Sequence, residues 1–158
     1  MSRFKTNRKT NLVLVSCILS VVALVSAIFG IFTPALPKDT GTLGRFDWEI
    51  GNINAEGKVV ESFTHIYSKD LVDVNKMNID VSDDSTTLTY QVVFYDEDKT
   101  FVSMTEELWV DFDGADVPED AKYFRVVVTP IEIDNAPVQI NFFNMAKYIN
   151  QIEVTFGK

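Results

Sequence analysis

The sequence predicts an all-β fold, an antiparallel β-sandwich preceded by a single transmembrane helix, and three observations carry the prediction. Residues 12–32 contain no charged side chain. Beyond them, short runs alternate apolar and polar residues, the period of strands with one buried face. Clusters of Gly, Asn, Asp and Ser separate those runs, and such residues reverse a chain. The 158 residues suffice for one domain.

The chain divides first by charge. Arg3, Lys5, Arg8 and Lys9 precede the apolar run, and every carboxylate lies at or after Asp39. At ~1.5 Å of rise per residue, residues 12–32 as a helix cover about 31 Å, the thickness of a bilayer's hydrocarbon core. Basic residues on one flank keep that side in the cytoplasm and send the other side out. Pro34 and Pro37 then stop the helix. The expected order is a basic cytoplasmic tail over 1–11, a signal-anchor helix over 12–32, a linker over 33–44 and an extracytoplasmic domain over 45–158.

A cleavable signal peptide with its site at Val25-Ser26-Ala27 uses the same residues and leaves the domain outside, as a secreted protein. Leu14-Val15-Ser16-Cys17 resembles a lipobox, yet most of the apolar run follows Cys17 rather than precedes it. Cys17 therefore reads as a small apolar residue within the helix. It is the only cysteine, so the exterior domain forms no internal disulfide. That exterior is acidic: ten of the 14 basic residues stand there against all 23 carboxylates, a balance of −13. Nucleic-acid phosphates and anionic headgroups are repelled by such a surface, which excludes nucleic acid as a partner.

Strands are expected in order over residues 45–53, 59–67, 77–81, 88–95, 104–112, 123–128 and 151–156. Turns fall at Ala55-Glu56-Gly57, Ser82-Asp83-Asp84-Ser85 and Asp96-Glu97-Asp98-Lys99. Within 88–95, one parity holds Leu88, Tyr90, Val92 and Phe94 and belongs in a core, whereas Thr89, Gln91, Val93 and Tyr95 face out. Phe124, Val126 and Val128 oppose Tyr123, Arg125 and Val127 in the same way. The closing run buries Ile152, Val154 and Phe156 and exposes Gln151, Glu153 and Thr155. Trp48 shares its parity with Phe46 and Ile50 and is expected in the core. Residues 141–150 are ambiguous, since Phe142, Met145, Ala146 and Ile149 also fit one helical face.

Several short pieces carry a family likeness. They are Trp48, Gly51, Ile53 and Gly57 near the first strand, Ile66-Tyr67-Ser68, Tyr95-Asp96-Glu97-Asp98-Lys99-Thr100-Phe101, and the run from Pro118 through Tyr123-Phe124-Arg125-Val126. Together they span nearly the whole exterior domain and resemble the small galactose-binding-like or carbohydrate-binding-like β-sandwich modules, of jelly-roll type, found in phage tail proteins and bacterial surface proteins. The resemblance implies a sandwich fold and a glycan ligand. Many members have arginine where this chain has His65, whereas Arg125 keeps its position. Read from the residues alone, Tyr95 and Phe101 flank a four-residue hairpin loop and Pro118 stiffens the approach to a central strand.

Chemistry-bearing residues are few. One histidine and no exterior cysteine leave little for a nucleophile, a base or a soft metal, so the chain is read as no enzyme. Glu106, Glu107, Asp111 and Asp113 are the carboxylates a glycosidase could pair, and they read equally as a solvated face. Asp111, Asp113 and Asp116 surround Gly114 with the oxygen ligands calcium takes, although the spacing is not that of an EF-hand. Asp96 and Asp98 are a second cluster of that kind. For a sugar, the decisive residue is an outward aromatic, because a flat ring stacks on the apolar face of a pyranose. Trp109 lies between Glu107 and Asp111 on the polar parity and meets that need. Tyr123 and Arg125 lie outward on their own strand, and His65 shares parity with Phe63 and Tyr67. The expected function is a non-enzymatic binding module at a bacterial surface, with a glycan as ligand and Trp109, Tyr123, Arg125 and His65 as its contacts. The alternative is a protein-interaction or structural accessory subunit of a surface or phage-encoded assembly.

Overall fold

The computed structural model describes residues 38, 40–82, 87–132 and 136–157. The basic tail and the helix expected over 12–32 lie outside the described residues, as does most of the turn expected at Ser82-Asp83-Asp84-Ser85. Among the described residues, no helix is long and apolar enough to cross a membrane.

Those residues are mostly β-sheet, and every strand pairing among them is antiparallel. In chain order the strands are β1 (Gly41–Thr42), β2 (Trp48–Ile50), β3 (Asn52–Ile53), β4 (Val59–Val60), β5 (Ile66–Ser68), β6 (Val72–Asp73), β7 (Asn78–Val81), β8 (Leu88–Tyr95), β9 (Phe101–Met104), β10 (Tyr123–Pro130) and β11 (Ile152–Phe156). A short helix, α1 (Met145–Ile149), precedes the last. A six-stranded sheet runs β2-β5-β10-β8-β9, with β6 continuing along β10 beyond β5, and a three-stranded sheet runs β1-β11-β7. The hairpin β3-β4 stands apart from both.

One apolar core joins the two larger sheets. Tyr90, Val92, Phe94, Phe124, Val126 and Val128 from the first meet Ile79, Ile152, Val154 and Phe156 from the second, and Met145, Tyr148 and Ile149 of α1 close one side. The rings of Phe124 and Phe156 meet edge to face with centroids 6.4 Å apart, an arrangement favoured by the ring quadrupole. The alternation read from the sequence is therefore correct for the inward parity of β8, β10 and β11.

The outward parity differs from expectation. Thr89 is buried too, and so are Val93, Tyr95 and Val127, the last three because β8 and β10 are covered on their second face by a smaller cluster that they form with Ile53 and Tyr67. The hairpin β3-β4 supplies that cover. Gly57 at its turn has φ +73°, and a Cβ there would stand 2.6 Å from the Phe101 ring. Its carbonyl accepts the Tyr95 hydroxyl at 2.9 Å. A glycine is thus required both by the left-handed backbone and by the close approach.

Three expected elements are broken or moved. Residues 59–67 divide into β4 and β5, since Ser62 Oγ and Thr64 Oγ1 both meet His65 Nδ1 at 2.9 Å and such local hydroxyl bonds compete with a ladder. Residues 104–112 leave the strand after Met104: Thr105 Oγ1 accepts the Val92 N–H at 2.9 Å. The chain then crosses between sheets, bridging Tyr90 at Leu108 and Ile79 at Phe112. Residues 41–43, expected within the linker, belong to the domain, for β1 pairs with β11 and Leu43 is buried. Phe46, expected beside Trp48 in the core, sits in a 3₁₀ turn (Arg45–Asp47) and is exposed, whereas Trp48 is buried as expected.

A side chain also repairs the ladder where β10 changes partner. It pairs with β5 at Val127 and Val128 and with β6 at Tyr123 and Phe124. In the gap, Ser68 Oγ accepts the Val126 N–H at 2.9 Å in a fully buried position. Were it absent, a buried backbone donor would stand without an acceptor.

Candidate functional site

The outer face of the six-stranded sheet gathers three of the four residues expected to contact a ligand. Arg125 projects there between two tyrosines, and its Cζ lies 5.9 Å from the Tyr95 ring centroid, within cation–π range. Ion pairs among the described residues join Lys38 to Asp47 and Asp70, and Lys122 to Asp73. Arg125 takes part in none of them, and its buried Nε has no hydrogen-bond partner among the described residues. Tyr67, one register step along β10 from Arg125, donates its hydroxyl to Glu49 Oε2 at 2.7 Å. Burial first, and then the Glu49 carboxylate, push the Tyr67 hydroxyl up to about 12. Burial likewise raises Tyr95, against a smaller pull downward from the Arg125 cation. Tyr123 pairs across the ladder with Tyr95 and Asp73 and is half-buried.

Toward the other end of the face lie His65 and the register pair Thr129 and Thr89. Both threonine hydroxyls are buried and have no partner among the described residues. Burial lowers the His65 imidazole below its ordinary value, and the Glu107 carboxylate pulls the other way. Trp109 follows Leu108, which bridges Tyr90 and packs on the main core. It is 49% exposed and lies on the segment that runs from the bridge of Leu108 with Tyr90 of β8 to the bridge of Phe112 with Ile79 of β7. The outer face thus holds a cation beside tyrosine rings at one end and two buried hydroxyls toward the other.

The acidic residues behave otherwise. Asp111 Oδ1 accepts the Val81 N–H at 2.7 Å and Asp113 Oδ1 accepts the Ala115 N–H at 3.0 Å. Asp96 Oδ1 accepts the Thr100 N–H at 2.8 Å, within the hairpin loop that Tyr95 and Phe101 flank. That loop runs over 96–100, one residue longer than expected. Among the described residues, no three His, Cys, Asp or Glu side chains converge as a metal ion requires, so Asp111, Asp113 and Asp116 are not brought together.

No family model, no curated protein and no solved structure matches this chain.

One feature escaped the sequence. At the β2 edge, a groove of about 380 Å³ has Phe46, Trp48, Ile50, Phe142 and Met145 as its apolar walls and Arg45, Lys69 and Glu49 at its polar positions. Residues 141–144 form turns ahead of α1, where Asn141 Oδ1 accepts the Phe143 N–H at 2.9 Å. Phe142 is thereby lifted off the helical face on which the sequence placed it and is exposed, while Met145 and Ile149 stay buried. An Asn-x-x-Asn frame around two phenylalanines is the local signal that could have marked this turn.

Proposed function

We propose that this chain is a non-enzymatic binding module, held at a bacterial cell membrane by residues 12–32 as a single span, with an extracytoplasmic β-sandwich of galactose-binding-like type that takes a glycan. Two antiparallel sheets around one core support the sandwich, and the apolar run behind a basic tail supports the tether. The observation that carries the ligand class is the exposed ring of Trp109, two residues along the chain from Glu107, whose carboxylate acts on the His65 imidazole. A ring stacks on a sugar, and the polar groups take its hydroxyls.

The test is glycan-array binding by the full chain in detergent, compared with Trp109→Ala. Binding that disappears in the variant, with circular dichroism unchanged, is the expected outcome. Equal binding by both chains removes Trp109 from the site.

A second reading has one observation in its favour. β9 lies at the end of the strand order and Val110 beside Trp109 is exposed, so a protein partner could add a strand there, making the chain an accessory subunit of a surface assembly. Absence of any glycan signal together with a partner crosslinked through position 102 would favour it.

A further inference from the structure

We infer that Phe46, Phe142 and Phe143, with the groove they border, rest in the headgroup region of the bilayer that holds the chain, an inference that rests on the reading of residues 12–32 as a membrane span. These phenylalanines are 86%, 72% and 93% exposed. They form one patch. Phe46 and Phe142 border the same groove, and the rings of Phe142 and Phe143 meet edge to face with centroids 6.1 Å apart. Soluble surfaces rarely leave so many large aromatic rings contiguous in water, and such patches mark an interface.

Charge and tether length choose the interface. In a chain of net charge −9, the groove carries Arg45 and Lys69, and its only carboxylate, Glu49, accepts the Tyr67 hydroxyl. Lys147 stands over the Tyr148 ring nearby on α1. Aromatic rings interspersed with cations are what a membrane-surface segment presents. The chain reaches the domain at the same place: the Lys38 ammonium bonds Asp47, next to Phe46, and pairs with Asp70, next to Lys69. Only residues 33–37, at most about 18 Å of chain, separate Lys38 from a span read as ending at Phe32. A protein partner or a second copy would have to compete for the patch with lipid already beside it.

The test uses nitroxide labels on the full chain in phosphatidylcholine nanodiscs and reads collision with oxygen, which concentrates in lipid, against a water-soluble nickel chelate. Cys17 is the only cysteine, so a label there reads the span itself. Cys17→Ser combined with Phe46→Cys or Phe142→Cys reads the patch, and Cys17→Ser with Asp98→Cys reads the hairpin loop as a water reference. The expected result is a severalfold higher oxygen-to-nickel ratio at 17, 46 and 142 than at 98. A lipid-like label at 17 with water-like labels at 46 and 142 overturns the inference and leaves the tether intact. A water-like label at 17 removes the tether and the inference with it. Shielding from both reagents that grows with the number of chains per disc assigns the patch to a second copy and overturns the lipid contact. Oxidation of the Phe142 and Phe143 rings by hydroxyl radicals in the unmodified chain gives the same reading without substitution: protection in discs supports the contact, and full reactivity overturns it.

Discussion

The two faces of the six-stranded sheet are both buried, yet they are buried by different means. On the inner face, side chains of β8 and β10 meet those of a second sheet in one apolar cluster. On the outer face, cover comes from a short hairpin over one end, where Ile53, Tyr67, Val93, Tyr95 and Val127 cluster. Polar groups remain on that face, the Arg125 Nε beside Val93 and Tyr95 of the cluster and the Thr89 and Thr129 hydroxyls beyond it, and these lack partners among the described residues. Exposure alone would rank Val93 and Val92 as equivalent, since neither is accessible. Their surroundings separate them: one face packs on a second sheet, while the other keeps buried polar atoms without partners among the described residues at a cost in desolvation.

The largest effect that this contrast predicts is in packing. Phe124→Ala removes a fully buried inner ring that meets Phe156 and should cost about 3–5 kcal/mol by urea unfolding of the full chain in detergent. Phe101→Ala removes a half-buried ring lying over Gly57 on the outer side and should cost less than about 2 kcal/mol. Equal losses would mean that the outer hairpin is as much a part of the core as the second sheet, and the contrast would fail.

Hydroxyls sharpen the same comparison at a smaller scale. Ser68→Ala leaves the buried Val126 N–H without its acceptor and should destabilise by about 1–3 kcal/mol. Thr89→Val, on the outer parity, replaces a buried hydroxyl that bonds nothing among the described residues and should be neutral or stabilising. Denaturation midpoints of the two variants should therefore move in different directions or by clearly different amounts. A Thr89→Val loss as large as that of Ser68→Ala would assign the threonine hydroxyl a partner and remove it from the polar part of the face.

What the sequence disclosed follows the same division. The inward parity of β8, β10 and β11, the core position of Trp48 and the turn at Ala55-Glu56-Gly57 were legible because strand period and turn chemistry are local signals. The outer cluster was not, since Val93, Tyr95 and Val127 share their parity with Gln91 and Arg125, and their cover comes from a hairpin distant along the chain. Breaks at Ser62-Phe63-Thr64-His65 and at Thr105 arise from hydroxyls that take up backbone or ring nitrogens, which composition suggests only weakly. Among the candidate contacts, the exposure of Trp109 needed parity alone, whereas the setting of Arg125 against the Tyr95 ring needed the pairing of β10 with β8. The groove needed more, because it brings Phe46 and Phe142 together from opposite ends of the domain.

The smallest expected effect is also the one that reads the two faces by titration. Tyr67 on the outer face is raised to about 12 by burial and by its bond to Glu49, against an ordinary value of about 10. Its neutral form is the one the fold favours, so its contribution is complete below about pH 10 and is lost as pH climbs toward 12. Tyr67→Phe should lose about 0.5–1.5 kcal/mol at neutral pH with the hydrogen bond, and its stability should then fall less steeply across that alkaline window than the parent's. Tyr90 on the inner face is also raised, by burial and then by Asp111 and Asp80, and its hydroxyl is spent on the Val110 carbonyl at 2.6 Å. Its shift is the larger of the two, so Tyr90→Phe should remove more of the slope between pH 10 and 12 than Tyr67→Phe does. The reverse order, measured by denaturant midpoints at stepped pH, would place the more strongly buried hydroxyl on the outer face and invert the comparison.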